Sequence, residues 1–219
     1  MKLSKNKKIL LILIVVIVIL VILKIQTTNK TNQAGTVTES VTEGIVWKTY
    51  TNTQYGFKVS FPSDWKIFED FSQTSPIINI YKPDFDTKPP LNQFSDANAV
   101  SIFPRGVETE ALIGEIVESN IKIKADTDKA VDYLLDNGEI WATYVTFKTV
   151  PESWKPWGSV WLVTKIKNLD FSCRSNNQII EVENCDPFAG DTFIRIGQTD
   201  KEIWATEVKI LGSFEFLEE

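Results

Sequence analysis

Apolar and polar positions change rhythm three times along the chain. From Ile9 to Leu23 the sequence is an unbroken run of Ile, Leu and Val, with Lys2, Lys5, Lys7 and Lys8 before it and Lys24 behind it. From Gln26 to Gly44 the chain turns polar and is dominated by Thr, Asn, Gln and Ser. From Ile45 onward, short segments of alternating apolar and polar residues are separated by turn signals, the pattern of half-buried strands.

The first run predicts a single membrane-spanning helix, Ile9 to Ile25. At about 1.5 Å per residue it is roughly 25 Å long. That is slightly short for a hydrocarbon core of about 30 Å, and Lys8 and Lys24 can snorkel toward the headgroups. Lys24-Ile25-Gln26-Thr27-Thr28 offers no small-residue cleavage pattern, and no Cys follows the run, so an uncleaved signal anchor is expected rather than a signal peptide or a lipoprotein anchor. With the lysines in front of the helix, residues 1–8 form a basic cytoplasmic tail and the rest is exported. The polar stretch 26–44 buries too little to fold and reads as a flexible linker. Residues 45–219 then make one extracytoplasmic domain, long enough for its own core.

Within that domain Val46–Thr51, Phe57–Phe61, Trp65–Phe71, Ile77–Tyr81 and Ala99–Phe103 read as strands, and Pro83–Asp96 with its Pro89-Pro90 reads as a loop. Asn137-Gly138, between Val131–Leu135 and Ile140–Phe147, predicts a hairpin with a type I′ turn. Val160–Ile166 is apolar on both faces in its middle and predicts a central strand. Thr199-Asp200-Lys201-Glu202 has capping-box spacing ahead of Ile203, Trp204, Val208 and Leu211, with Gly212 as a stop, and so predicts a helix. Thr109–Ser119 is a weaker helical candidate, because Leu112, Ile113, Ile116 and Val117 cluster. The expected class is α+β, an antiparallel sheet flanked by helices and preceded by one N-terminal transmembrane helix.

Composition narrows the chemistry. The 219 residues contain no His, two Cys and seven Trp. Without His there is no Ser-His or Cys-His nucleophile pair, no His-bound zinc and no His-ligated haem. The net charge of −6 divides unevenly. Removing the five lysines of residues 1–25, a segment with no acid, leaves 18 basic and 29 acidic residues, a net −11 for the exported part. Such a domain repels nucleic acid and anionic lipid. Cys173 and Cys185 lack the two-residue spacing of redox pairs, and in an exported domain two cysteines normally join. A structural disulfide is expected there, stapling a hairpin-like excursion that contains Gln178 to Val182 and stabilising by roughly 3 kcal/mol.

Tyr50-Thr51-Asn52 followed by Tyr55-Gly56-Phe57-Lys58-Val59-Ser60-Phe61-Pro62-Ser63-Asp64-Trp65 resembles the opening of PsbP-like domains. Ile210-Leu211-Gly212-Ser213-Phe214-Glu215-Phe216 resembles their close, in which a helix ends in a small residue and a short Phe strand follows. The resemblance implies an α-β-α sandwich, a role in binding or assembly rather than catalysis, and similarity to membrane-anchored versions in bacterial cell-envelope proteins. It implies neither photosynthesis nor any metal-binding His. The excursion around Cys173 and Cys185 departs from the minimal domain.

Two local features invite a site. Trp154-Lys155-Pro156-Trp157-Gly158 would suit stacking on a sugar ring or gripping a partner if Trp154 and Trp157 are exposed, and would cap the core if they are not. The other five tryptophans fall in regular elements and are expected in the core. Asp186 and Asp191, around Pro187-Phe188-Ala189-Gly190 with Glu181 and Glu183 upstream, are weak Ca²⁺ candidates; a solvated acidic loop is the plainer reading. No carboxylate pair stands out for hydrolysis, and no cofactor is expected. The leading expectation is a membrane-anchored, non-enzymatic domain that binds a protein or envelope component. The alternatives are a carbohydrate- or peptidoglycan-binding module using Trp154 and Trp157, and a carboxylate-dependent hydrolase.

Overall fold

The structure is a computed structural model that describes residues 35–42, 45–72, 75–84, 86–91, 97–106, 115–156 and 158–218. The apolar run from Ile9 to Ile25 lies outside the described residues, as does Trp157. Among the described residues no helix is long and apolar enough to cross a membrane.

Fourteen strands among the described residues form three antiparallel sheets. β1 (Thr36–Thr42), β2 (Ile45–Asn52), β3 (Phe57–Pro62) and β14 (Glu215–Phe216) make a four-stranded sheet in the order β1-β2-β3-β14. β4 (Lys66–Asp70), β5 (Ile77–Tyr81), β6 (Ala99–Phe103), β7 (Glu115–Glu118), β8 (Thr127–Leu134), β9 (Ile140–Phe147) and β10 (Ser159–Val163) make a seven-stranded sheet in the order β4-β5-β6-β10-β9-β8-β7. β11 (Lys167–Ser175), β12 (Gln178–Ile180) and β13 (Thr192–Gln198) form a three-stranded ribbon in the order β12-β11-β13. One α-helix, α1 (Lys201–Gly212), stands among the described residues.

The strands follow the alternation in the sequence. Phe57, Val59 and Phe61 of β3 are buried on one face. β10 occupies the middle of the seven-stranded sheet, and all five of its residues are buried, as its apolar Val160–Val163 requires. The main core lies between the four-stranded sheet, the seven-stranded sheet and α1. It contains Tyr50, Phe57, Val59 and Phe61 from the first, Ile78, Ile80, Val100, Ile102, Val145 and Leu162 from the second, and Ile210 and Leu211 from the helix. The two ends of the domain meet there. β14 pairs with β3, Phe216 opposite Phe57 and Glu215 opposite Lys58, and the Leu217 amide donates to the Gly56 carbonyl at 2.8 Å. Gly56 takes φ +63°, where a side chain is strained.

Five expectations need correction. The sheet is not flanked by helices on both sides: α1 is the only α-helix among the described residues, because the rest of the apolar pattern has period two. The described part of the weaker helical candidate, Glu115–Glu118, is the edge strand β7, paired with Val131–Leu134. The polar linker does not extend to residue 44. Its Thr36–Thr42 alternates β-branched and polar residues and pairs with β2 along its whole length. Ahead of it the Gly35 amide donates to Glu69 Oε1 at 3.0 Å, and Gly35 sits so close to the Tyr50 ring that a Cβ would collide with it. Tyr50 donates to the same Glu69 oxygen and accepts from Asn52 Nδ2 at 2.7 Å, which pins the start of β1 to the core.

The fourth correction concerns the β8–β9 turn. Gly138 has φ +80° but Asn137 does not enter the positive-φ region; the Gly138 amide bonds to the Leu135 carbonyl and the Leu135 amide to the Glu139 carbonyl. This is a type I turn closed by a glycine bulge, not a type I′ turn. The fifth concerns the helix cap. Asp200, not Thr199, caps α1 by accepting from the Glu202 and Ile203 amides, while Thr199 bonds to Glu139 Oε2.

Candidate binding surface

The ribbon begins with a turn that the sequence reading passed over. Asn176 and Asn177 have φ +49° and +64°, and Ser175 pairs with Gln178 across them. Two consecutive positive-φ residues in a two-residue loop match the type I′ pattern, and Asn tolerates it better than other side-chain-bearing residues. The signal was legible in Asn176-Asn177 rather than in Asn137-Gly138.

Behind that hairpin the chain is tied back covalently. Cys173, fully buried on β11, forms the expected disulfide with Cys185. Between β12 and Cys185 runs a single 3-10 turn, Val182–Asn184, and a second, Pro187–Ala189, follows. Asp186 organises the second: its Oδ1 accepts from the Phe188 amide at 3.0 Å and the Ala189 amide at 3.3 Å. Gly190 closes it at φ +94°. Asp191 reaches back, its Oδ2 accepting from the Asp186 amide at 2.9 Å. A hydrogen bond from Ser175, then the one from Asp186, holds the Asp191 carboxyl below its ordinary range.

These contacts account for the two weak Ca²⁺ candidates. Both carboxylates are engaged with the loop's own backbone, which is the ordinary work of Asp in turns. Cys173, Cys185 and Asp191 bring three potential ligand atoms together, but both sulfurs are spent in the disulfide and offer no thiolate.

The tight loop leaves large apolar side chains in water. Phe188 is 103% exposed, Ile179 54%, Phe171 49% and Ile196 37%. The register puts Phe171 on one face of the ribbon with Phe193 and Arg195, and Ile179 and Ile196 on the other with Arg174. The Arg195 guanidinium lies 4.4 Å from the Trp141 ring centre and 5.6 Å from that of Phe171, a cation–π stack joining the ribbon to β9. Arg174 bonds to Glu115 at 3.3 Å and to Asp136 at 2.6 Å, tying the ribbon to β7 and to the β8–β9 turn. Residues 181–191 carry four acids, Glu181, Glu183, Asp186 and Asp191, and no Lys or Arg.

The tryptophan loop is a different case. Trp154 is wholly buried, its Nε1 donating to the Tyr55 carbonyl at 2.7 Å, with the rings of Phe57, Phe147, Phe214 and Phe216 around it. It caps the core and cannot stack on a sugar. Of the remaining tryptophans expected inside, Trp65, Trp141 and Trp161 are buried, while Trp47 and Trp204 are partly buried and pack on the main core.

Glu207 on α1 is wholly enclosed and bonds to the Thr164 hydroxyl. Burial drives its carboxyl well above the usual range, against the pull of Thr164 and of the Ala99 backbone. It lies inside the protein, where water and substrate do not reach it.

A family model described as PsbP-like protein matches residues 8–130, more than half of the chain. No curated protein and no solved structure matches. The matched span takes in the Gly56–Trp65 opening and ends within β8, so the ribbon and its disulfide lie beyond it.

Proposed function

The chain belongs to the PsbP-like protein family, and from that premise we propose a membrane-anchored, extracytoplasmic, non-enzymatic domain that binds another protein of the cell envelope. Ile9 to Ile25 is the anchor. Lys2, Lys5, Lys7 and Lys8 hold the N-terminus in the cytoplasm. The Cys173–Cys185 disulfide, which an oxidising compartment preserves, supports export of the domain.

The observation that carries the binding role is the ribbon. Four large apolar side chains are exposed on one small, covalently braced element, and Phe188 is the most exposed large apolar side chain among the described residues. A braced element that presents large apolar side chains to solvent suits a protein interface. The sugar-binding alternative loses one of its two residues, because Trp154 is inside the core.

Expression of the full chain in bacterial cells tests the anchor and its orientation. The chain is expected to stay in the membrane pellet after an alkaline carbonate wash, and external protease on spheroplasts is expected to degrade the domain. Release into the wash, or protection until the membrane is dissolved, would overturn the topology.

A further inference from the structure

We infer that Phe188 is the anchor residue of the interface and enters an apolar pocket on a partner protein whose rim carries Lys and Arg. This rests on the binding role proposed above and names the chemistry of that partner.

A fully exposed Phe forgoes about 1.5–3 kcal/mol that burial would return. Exposure of that kind is unremarkable on a loose segment, but this segment is fixed. The disulfide holds its start, Asp186 caps its turn, Asp191 spans its base and Gly190 closes the turn in the left-handed region. None of these contacts uses the Phe188 ring. The loop thus presents an aromatic side chain with two rotatable bonds on a backbone already ordered, which lowers the entropy lost on docking.

Charge selects the occupant. A surface that receives Phe188 approaches the turn held by Asp186 and Asp191, in a segment, residues 181–191, that has two further acids, Glu181 and Glu183, and no basic residue. An anionic bilayer repels that tip. A protein pocket with guanidinium or ammonium groups at its edge accepts the ring and neutralises the carboxylates together. The two arginines of the ribbon, Arg174 and Arg195, are engaged with Glu115 and Asp136 and with Trp141 and Phe171, and a basic rim on the partner supplies the counter-charge.

The test places a photo-crosslinking amino acid at position 188 of the full, anchored chain in cells, with Ile179 and the exposed Ala205 of α1 as comparison positions. A discrete protein adduct from position 188 and none from 205 is expected. The captured protein, identified and purified, should bind the full chain in detergent. Phe188→Ala should weaken binding about tenfold or more, Glu183→Lys should weaken it further, and added salt should do the same. Equal affinity of wild type and Phe188→Ala would overturn the anchor. Crosslinking of position 188 to lipid would overturn the protein partner. An adduct from 179 with none from 188 would leave the binding role standing and remove Phe188 from it, whereas no adduct at any position counts against both.

Discussion

Trp154 and Phe188 stand in opposite surroundings. Trp154 has no exposed surface and sits among four phenylalanine rings, with its one polar atom bonded to the Tyr55 carbonyl. Phe188 is entirely in water, on a loop ordered by a disulfide and by carboxylate–amide hydrogen bonds. The main body therefore derives its order from burial. The ribbon derives much of its order from a covalent link and local polar contacts, and that leaves Phe188 free for other contacts. The family model matches much of the first region and none of the second.

The comparison breaks most easily at Trp154. Trp154→Ala removes the ring and leaves a cavity bordered by Phe57, Phe147, Phe214 and Phe216, at a cost of about 3–5 kcal/mol. In a domain of this size that lowers the melting temperature by roughly 10 °C. Thermal unfolding of the full chain in detergent measures it, and a fall of only a degree or two would mean that the core does not depend on this residue.

Replacing both cysteines, Cys173→Ser with Cys185→Ser, should cost up to about 3 kcal/mol on the chain-entropy account. The location matters more than the size. Amide exchange should quicken in residues 173–198 and stay unchanged in β5, β6 and β10. Equal quickening in all of them would show that ribbon and body unfold as one unit, and the division between them would fail.

The main body holds one group that works against it. Glu207 is buried in a form that burial keeps protonated, so its stabilising state is fully present below the ordinary glutamate range. As pH rises above about 4.3 the unfolded chain ionises first, and stability falls by up to about 1.4 kcal/mol per pH unit until the buried group itself ionises. Asp84, Glu139, Asp191, Asp200 and Glu215, all held below their usual range, act in the opposite sense and lose stability as pH falls. Comparing wild type with Glu207→Gln cancels them. The variant should match wild type near pH 4, gain on it by about 1 kcal/mol between pH 5 and pH 6, and gain none in the ribbon. Parallel pH profiles for the two proteins would refute the assignment.

Much of the main body was legible in the sequence because its information is local. Alternation marked β2, β3, β5 and β6, the all-apolar run marked β10 as central, and the motifs at Gly56–Trp65 and Ile210–Phe216 fall on strands that pair with each other. What the sequence concealed depends on distant partners. Thr36–Thr42 looks polar and unstructured until β2 supplies its hydrogen bonds. Ile116 and Val117 share a helical spacing with Leu112 and Ile113, but β8 claims them as an edge strand. Trp154 could be read either as a loop anchor or as a cap on the core, and the structure takes the second reading through a bond to the carbonyl of Tyr55, far away in the chain. In the ribbon the disulfide was legible from residue type and expected compartment. Phe188 was not singled out, because an aromatic between Pro187 and Gly190 in an acidic stretch carries no periodic signal.

The smallest expected effect on stability is the sharpest test of the contrast. Phe188→Ala should leave the melting temperature and the ribbon's amide exchange unchanged, within about 0.5 kcal/mol, because the folded ring touches nothing that holds the loop. Asp186→Ala, two residues earlier, should loosen the loop by about 1 kcal/mol, since the Phe188 and Ala189 amides lose their acceptor. The pair separates two explanations of the exposed ring. If Phe188→Ala destabilises as much as Asp186→Ala, the ring is part of the loop's own structure and the ribbon is a second, smaller core. If only Asp186→Ala destabilises, the loop is ordered without its aromatic, and the side chain is free to serve a contact outside this chain.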